Sequence, residues 1–370
     1  MSHALPGYLC PEDGTRADVR TAPWCCPVCG GPWDLDFTPD PAIALEPAAG
    51  PHSLWRYAPA LPLPGAFSVT LSEGHTPLLP LGERVHAKLD FLMPTLSFKD
   101  RGAVMLAELA RRLGPERVVA DSSGNAGTSV AAYCARAGLR CEVFVPADTS
   151  EKKTGQMRAH GAAVRLVPGG REAAAEAARA AADAPGVFYA SHVFNPYFLH
   201  GTKTYVYEVW EALGGRLPEV LVVPVGNGTL LLGAALAVGE LERRGVRAPV
   251  LVGVQAEAVS PLAAAFAAGA EEVEPVEQRP TLAEGIAIPA PPRARQILAA
   301  VRKSGGTILT VSDTRIREAQ RDLAARGLFV EATAAACWAA VGPGAPTDPL
   351  KGRTAVLPLC GAGAKTGLAP

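Results

Sequence analysis

The chain has 370 residues, with 35 Lys and Arg against 36 Asp and Glu, for a formal net charge of −1. This near-neutral balance, without a long basic block, argues against nucleic acid or anionic membrane as partners and leaves small-molecule chemistry. With 48% hydrophobic and 19% charged residues, the chain can bury the core of one large domain or of two to three smaller ones.

Met1 to Pro11 is short, polar and interrupted by Pro6 and Gly7, so it does not read as a secretory signal. Of eight cysteines, four (Cys10, Cys25, Cys26 and Cys29) crowd into the first 29 residues, with Trp24 and Trp33 nearby. That is no small disulfide framework, and a reducing cytoplasm is the expected compartment. Residues 1–40 read as a small independent knuckle. Residues 39–65, rich in Pro and Ala, read as a linker onto the main body.

From about residue 84, short apolar runs alternate with helical stretches. Strands are predicted at 117–120, 141–146, 164–167, 220–225, 250–254, 307–311 and 355–359. Helices are predicted at 128–137, 151–160 and 171–182, the last nearly all Ala with spaced Glu and Arg. The stretch from Val220 to Gly239 carries no charge, but Pro224 and Gly226-Asn227-Gly228-Thr229 interrupt it, so it reads as strand, loop and helix, not as a membrane span. The alternation predicts an α/β protein whose mostly parallel sheet is covered on both faces. Ligands in such folds bind in loops at the carboxyl ends of strands.

Four segments carry candidate chemistry. In Ser97-Phe98-Lys99-Asp100-Arg101-Gly102, a lysine beside Phe98 precedes an apolar helix from Ala103 to Leu109. Burial would lower its pKa and suit it to carbonyl chemistry, the alternative being an ordinary helix start in solvent. Asp121-Ser122-Ser123-Gly124-Asn125-Ala126-Gly127 follows a strand and opens a helix. Its hydroxyls and amides suit an anion such as an α-carboxylate, and equally suit a capped turn. Gly226-Asn227-Gly228-Thr229-Leu230 also joins strand to helix. It is neither a Walker loop nor G-x-G-x-x-G, but its two glycines allow close approach to a phosphate. Leu359-Cys360-Gly361-Ala362-Gly363 ends the last predicted strand.

Taken in order, these segments closely resemble the threonine synthase family of fold type II pyridoxal 5′-phosphate (PLP) enzymes. The resemblance runs from about Leu54 to Lys365 and includes Leu71-Ser72-Glu73-Gly74-His75-Thr76-Pro77-Leu78, Pro224 to Gly233 and Ala283-Glu284-Gly285-Ile286-Ala287. It implies a tryptophan synthase β-subunit-like fold of two open, parallel-rich α/β domains, with 41–102 plus 206–370 as the large PLP-binding domain and 103–205 as the small one. It implies a carbon–oxygen lyase that converts O-phospho-L-homoserine and water to L-threonine and phosphate. Lys99 would be the Schiff-base lysine and proton shuttle, with Phe98 beside the cofactor. Asn125 would bond the cofactor's 3′ oxygen, Gly226, Asn227, Gly228, Thr229 and Leu230 would cradle its phosphate, and Cys360 would face its ring nitrogen. Ser122, Ser123, Gly124 and Asn125, with Thr95, would meet the substrate. A homodimer acting on a small amino acid is the implied assembly.

Several positions depart from the family pattern. Cys360 stands where threonine synthases usually carry Thr and where serine and threonine dehydratases commonly carry Cys or Ser. Met93 replaces Asn, Leu96 replaces Gly, and His200 stands where Glu is usual. Phe198 occupies a place where some members carry an Arg that could serve the substrate phosphate. These departures leave open a second reading, a related β-elimination or β-replacement enzyme acting on a serine-, threonine- or phosphoserine-type substrate. Threonine-synthase-like chains often begin with two Cys-x-x-Cys knuckles. Here the second is Cys26-Pro27-Val28-Cys29 and the first is Cys10-Pro11-Glu12-Asp13, with Asp13 for a cysteine. Cys10, Asp13, Cys26 and Cys29, with Cys25 as a substitute ligand, make either a closed structural zinc site or a decayed ribbon that binds nothing.

Overall fold

The computed structural model describes residues 4–21, 23–43, 45, 51–345 and 350–369. Near the N-terminus β1 (Tyr8–Leu9), β2 (Arg16–Ala17) and β3 (Asp34–Leu35) form a small antiparallel sheet in the order β2-β1-β3. Then come β4 (Leu78–Pro80), β5 (Val85–Lys88), α1 (Lys99–Leu113), β6 (Arg117–Ala120), α2 (Asn125–Ala137), β7 (Cys141–Pro146), α3 (Glu151–Ala159), β8 (Ala163–Val167), α4 (Arg171–Ala182), β9 (Val187–Tyr189) and α5 (Tyr197–Thr202). The chain continues through α6 (Thr204–Ala212), β10 (Val220–Pro224), α7 (Thr229–Glu242), β11 (Val250–Ala256), α8 (Pro261–Ala267), α9 (Ala294–Lys303), β12 (Thr307–Val311), α10 (Asp313–Ala325), α11 (Ala332–Val341) and β13 (Ala355–Pro358).

The chain divides into two compact units: Met1–His75 with Lys99–Thr202, and Thr76–Phe98 with Lys203–Pro370. The first holds a four-stranded, wholly parallel sheet in the order β8-β7-β6-β9. β7 buries every second side chain, as a strand with one packed face should. α1 and α2 pack together through Val104, Met105, Leu109, Val130 and Tyr133, all buried. Glu108 on α1 is fully buried, where it accepts from Arg111 and Arg112 and from the amides of Ser68 and Val69, fastening the incoming segment to the helix.

The 39–65 segment is more than a linker. Ser53 caps a 3-10 turn over Leu54–Ala60, and Leu54, Trp55, Tyr57, Leu61 and Leu63 are core residues. Trp55 donates its Nε1–H to the carbonyl of Val69 at 2.9 Å. The many Pro and Ala of the segment hide the few large side chains that do the packing.

The second unit holds six strands in the order β12-β11-β10-β13-β5-β4. All neighbours are parallel except the antiparallel edge pair β4 and β5. β10 is buried at every residue, which explains its uninterrupted apolar sequence. The uncharged run after Val220 is thus β10, a loop and α7, and among the described residues no helix is long and apolar enough to cross a membrane. Among the described residues, two buried ion pairs lie in this unit, Lys88 with Glu208 at 2.6 Å and Lys203 with Glu240 at 2.8 Å. Lys88 also donates to Thr76, whose hydroxyl donates to Asp90 at 2.7 Å.

The turn at residues 70–76 belongs to the first unit up to His75 and is organised by one carboxyl. Glu73 is fully buried and accepts from the Leu71 amide at 2.8 Å and from the Thr70 hydroxyl at 3.2 Å. Burial outweighs these hydrogen bonds and lifts its pKa from 4.5 to about 7. A group protonated in the fold and ionised once unfolded contributes stability that is complete below pH 4.5 and is lost as pH rises through about 7. Glu73→Gln stays neutral throughout. Its unfolding free energy relative to the parent should rise by up to about 3 kcal/mol between pH ~5 and pH ~8, as measured by urea denaturation at both pH values. A difference that does not change with pH would show that Glu73 is ionised in the fold.

Candidate active site

Lys99 is the first residue of α1 and is partly buried. Its Nζ lies 5.7 Å from the centre of the Phe198 ring on α5. That ring is fully buried and lies flat on Gly102, where a Cβ would come within 2.4 Å of ring carbons. The His192 imidazole meets the same ring edge-on, with centroids 5.9 Å apart. Burial, then the positive charges of Lys99 and Arg171, hold the His192 pKa well below its ordinary value, so the imidazole is neutral. Asp100, next to the lysine and fully buried, accepts a short hydrogen bond from the Ser129 hydroxyl on α2.

That bond ties the lysine helix to the helix opened by the Ser/Asn loop. α2 starts at Asn125 behind Gly124, which has no side chain to cap it, and a helix N-terminus suits an anion. The Ser122 hydroxyl accepts from the Gly124 amide at 3.3 Å. Burial raises the Asp121 carboxyl above the usual range, against the Tyr189 hydroxyl that hydrogen-bonds it.

The remaining predicted residues lie in the second unit. The amide of Phe98 donates to the carbonyl of Cys360 at 2.9 Å, Ser97 bridges Gly361, and the Ala362 amide donates to Leu96. The residues before the lysine are thus laced to the end of β13, and Cys360 is buried there. Thr95 is buried, and its carbonyl accepts from Lys365 Nζ at 2.8 Å. Leu96 has φ 63°, a left-handed backbone that glycine adopts freely. A leucine there carries about 1–2 kcal/mol of strain, which accounts for the glycine of the family pattern.

The loop after β10 has the form of a phosphate cradle. Gly228 has φ 76°, and a Cβ on it would lie 2.3 Å from Cδ1 of Ile297. Gly228 is also the N-cap of α7 without any side-chain cap, and Thr229 is buried at the first turn. Helix-start amides behind a backbone with no Cβ suit a phosphate group. On this observation the loop fits the phosphate group of PLP.

Two residues near these sites escape sequence reading. His192 gives no motif, and its partner Phe198 is six positions on. Glu331 occupies the N-cap position of α11, and its amide donates to the Gly361 carbonyl. Its carboxyl occupies the space a Cβ on Gly361 would take, at 2.2 Å, directly after Cys360. The two are 30 positions apart in sequence, and only the β13–α11 packing joins them.

The N-terminal cluster is closely drawn together. One ligand atom each from Cys10, Asp13, Cys26 and Cys29 lie within 4.8 Å of one another. Cys10 Sγ and Cys29 Sγ are 3.5 Å apart, and Cys26 Sγ and Asp13 Oδ2 are 3.4 Å apart. A tetrahedral zinc with Zn–S bonds of about 2.3 Å would separate its sulfurs by roughly 3.8 Å, close to this spacing. The two knuckles match: the Gly14 amide donates to the Cys10 carbonyl as the Gly30 amide donates to that of Cys26. Cys25 lies outside the group.

Comparison with known proteins identifies the chemistry. The family described as pyridoxal-phosphate dependent enzyme matches residues 69–361. The chain belongs to this family. Among its relatives, the threonine synthase of Methanosarcina acetivorans is 34% identical over 77% of this chain and 73% of its own length. That of Methanocaldococcus jannaschii is 32% identical over 88% and 84%, and that of Synechocystis is 36% identical over 76% of each. A T.th. threonine deaminase superposes with a TM-score of 0.65 at 30% identity, covering 78% of this chain and 90% of its own. Maize serine racemase, at 19% identity and a TM-score of 0.68 over 78% and 88%, shares the fold. The chain is a threonine-synthase-like, PLP-dependent lyase.

The cradle supplies a direct test. Gly228→Ala introduces both a left-handed alanine and a clash with Ile297, and should weaken PLP binding by at least about tenfold. Titration of the cofactor-free enzyme with PLP, followed by absorbance, measures this. An unchanged dissociation constant would place the phosphate elsewhere.

Proposed function

We propose that the enzyme converts O-phospho-L-homoserine and water to L-threonine and phosphate. The observation that supports this most is the match to threonine synthases over most of the chain, joined to a lysine that opens α1 beside a buried aromatic ring. PLP, when bound, supplies the electron sink for negative charge developing on the substrate carbons. Lys99 would hold the cofactor through its amine, and its free amine would move protons at the α and β carbons. Ser122, Ser123, Gly124 and Asn125 bind the substrate carboxylate with donors at the head of α2, and Thr95 joins them. Asn125 also bonds the cofactor's 3′ oxygen. Gly226, Asn227, Gly228, Thr229 and Leu230 would hold its phosphate, Phe98 would lie beside it, and Cys360 would face its ring nitrogen. A thiol there leaves the ring nitrogen less charged than a carboxylate would, which suits elimination. We take the enzyme to be a cytoplasmic homodimer with a small amino acid as its partner.

Phe198 favours a second reading. It offers no positive charge where some relatives carry Arg, and the neighbouring His192 is neutral. A β-elimination or replacement on a serine-, threonine- or phosphoserine-type substrate fits this apolar side better than a γ-phosphate does. Incubating the PLP-loaded enzyme with O-phosphohomoserine and quantifying threonine by mass spectrometry separates the two. Catalytic formation of threonine, abolished in Lys99→Ala, is expected. No threonine from an enzyme that keeps its cofactor, with turnover of a serine-type substrate, selects the second reading.

The cluster of Cys10, Asp13, Cys26 and Cys29 is proposed to hold one structural zinc, supported by the fit of its spacing to a tetrahedral ion. Elemental analysis of protein purified from zinc-supplemented medium should give about one zinc per chain. A metal-free preparation that still folds would mark the ribbon as decayed.

A further inference from the structure

The N-terminal sheet has strands of only two residues each. Such a segment has too little core to hold its own shape. Its large side chains are aromatic and sit close to the four proposed ligands: Tyr8 two residues before Cys10, Trp24 two before Cys26, and Trp33 four after Cys29. Tyr8 and Trp24 face one stretch of the first unit, residues 189–200, and Trp33 backs Tyr8 and reaches that stretch through its backbone amide. Tyr8 stacks on Trp33 with centroids 5.5 Å apart, meets Tyr197 edge-on at 6.4 Å, and accepts at its hydroxyl from Asn195 Nδ2 at 3.3 Å. The Trp33 amide donates to the Phe194 carbonyl, and the Tyr197 hydroxyl donates to the Pro6 carbonyl, both at 3.3 Å. Trp24 meets Phe194 edge-on at 5.0 Å and Tyr189 at 5.5 Å, and donates its Nε1–H to Asp183 at 2.9 Å. Phe37 meets His200 edge-on at 5.5 Å.

The gripped stretch leads directly to the lysine. On α5, Tyr197 and His200 are three residues apart and share the face turned to the knuckle. Phe198 and Gly201, also three apart, share the face turned to α1. On that second face the Phe198 ring lies on Gly102 and 5.7 Å from Lys99 Nζ. One short helix therefore has the knuckle on one side and the catalytic lysine's helix on the other.

We infer that the metal-bound knuckle is a positioning clamp: by holding residues 189–200 through Tyr8, Trp24 and Trp33, it sets the Phe198 ring beside Lys99. This rests on the zinc reading above. A bound ion adds folding free energy to a segment that lacks its own, and removing it releases the knuckle face of α5. Tyr8, Trp24 and Trp33 are positioning residues, acting on the reaction through Phe198.

The test uses the full-length, PLP-loaded enzyme. Metal is withdrawn by a chelator, with release quantified, and amide hydrogen exchange and the visible absorbance of the bound cofactor are recorded before and after. Exchange in 189–202 should rise about tenfold while that in 220–242 stays constant, and the cofactor's absorbance should shift. Trp24→Leu keeps all four ligands, so it should retain the metal yet raise exchange in 189–202 about threefold and reproduce part of the shift. Release of metal without either change, or a Trp24→Leu enzyme identical to the parent, overturns the clamp while leaving the zinc reading intact. A rise of equal size in both segments also overturns it, because the metal would then support the whole chain and not α5. A preparation without metal defeats the zinc reading itself, and the clamp with it.

Discussion

The geometry around Lys99 depends on how closely α1 and α5 approach. A Cβ on Gly201 would lie 2.0 Å from the carbonyl oxygen of Arg101, so the two backbones touch where the lysine helix begins. Gly102 accepts the face of Phe198 in the same way. Neither position tolerates even a methyl group without moving a helix. Because Asp100 binds Ser129, the same few residues also fix α2 and the Ser/Asn loop at its head. Lysine, aromatic ring and Ser/Asn loop are thus located by contacts among neighbours of Lys99.

Much of this is legible in the sequence, for reasons that differ by element. β6, β7, β10 and β12 are compact apolar runs of one period and can be read within a residue or two. α4 follows from its alanine content. β9 and α5 escape such reading because three and six residues are too few to show a period, and because Pro196 and Gly201 interrupt the pattern. Yet α5 carries Phe198. The helix at Asn125 begins three residues before its apolar pattern does, since its first turn, Asn125 to Gly127, is built for the loop and not for the core. The motif segments are visible as chemistry only when taken together, each one alone being compatible with a capped turn.

Polar residues buried in the second unit show the limit of sequence reading most clearly. Lys88 finds Glu208 across 120 positions, and Lys203 finds Glu240 across 37. A buried charge needs its partner, and removing one member leaves a larger penalty than removing both. Sequence reveals neither the burial nor the partner, and Lys88 and Lys203 look like any other lysine along the chain. Glu331 is of the same kind: its place against Gly361 arises from packing of α11 on the last strand.

The distribution of thiols separates the chain's chemical weak point from its working residues. Cys134, Cys141, Cys337 and Cys360 are buried, while Cys29 is exposed and Cys25 half-buried. Of the thiols outside the proposed metal site, only Cys25 is not buried, so alkylating agents and dissolved oxygen meet the N-terminal segment first. Ageing of a purified sample would begin there, far along the chain from the thiol at the end of β13. With the other three N-terminal thiols committed to the proposed metal, a thiol-directed dye would label that segment at Cys25 without engineering a cysteine into the protein.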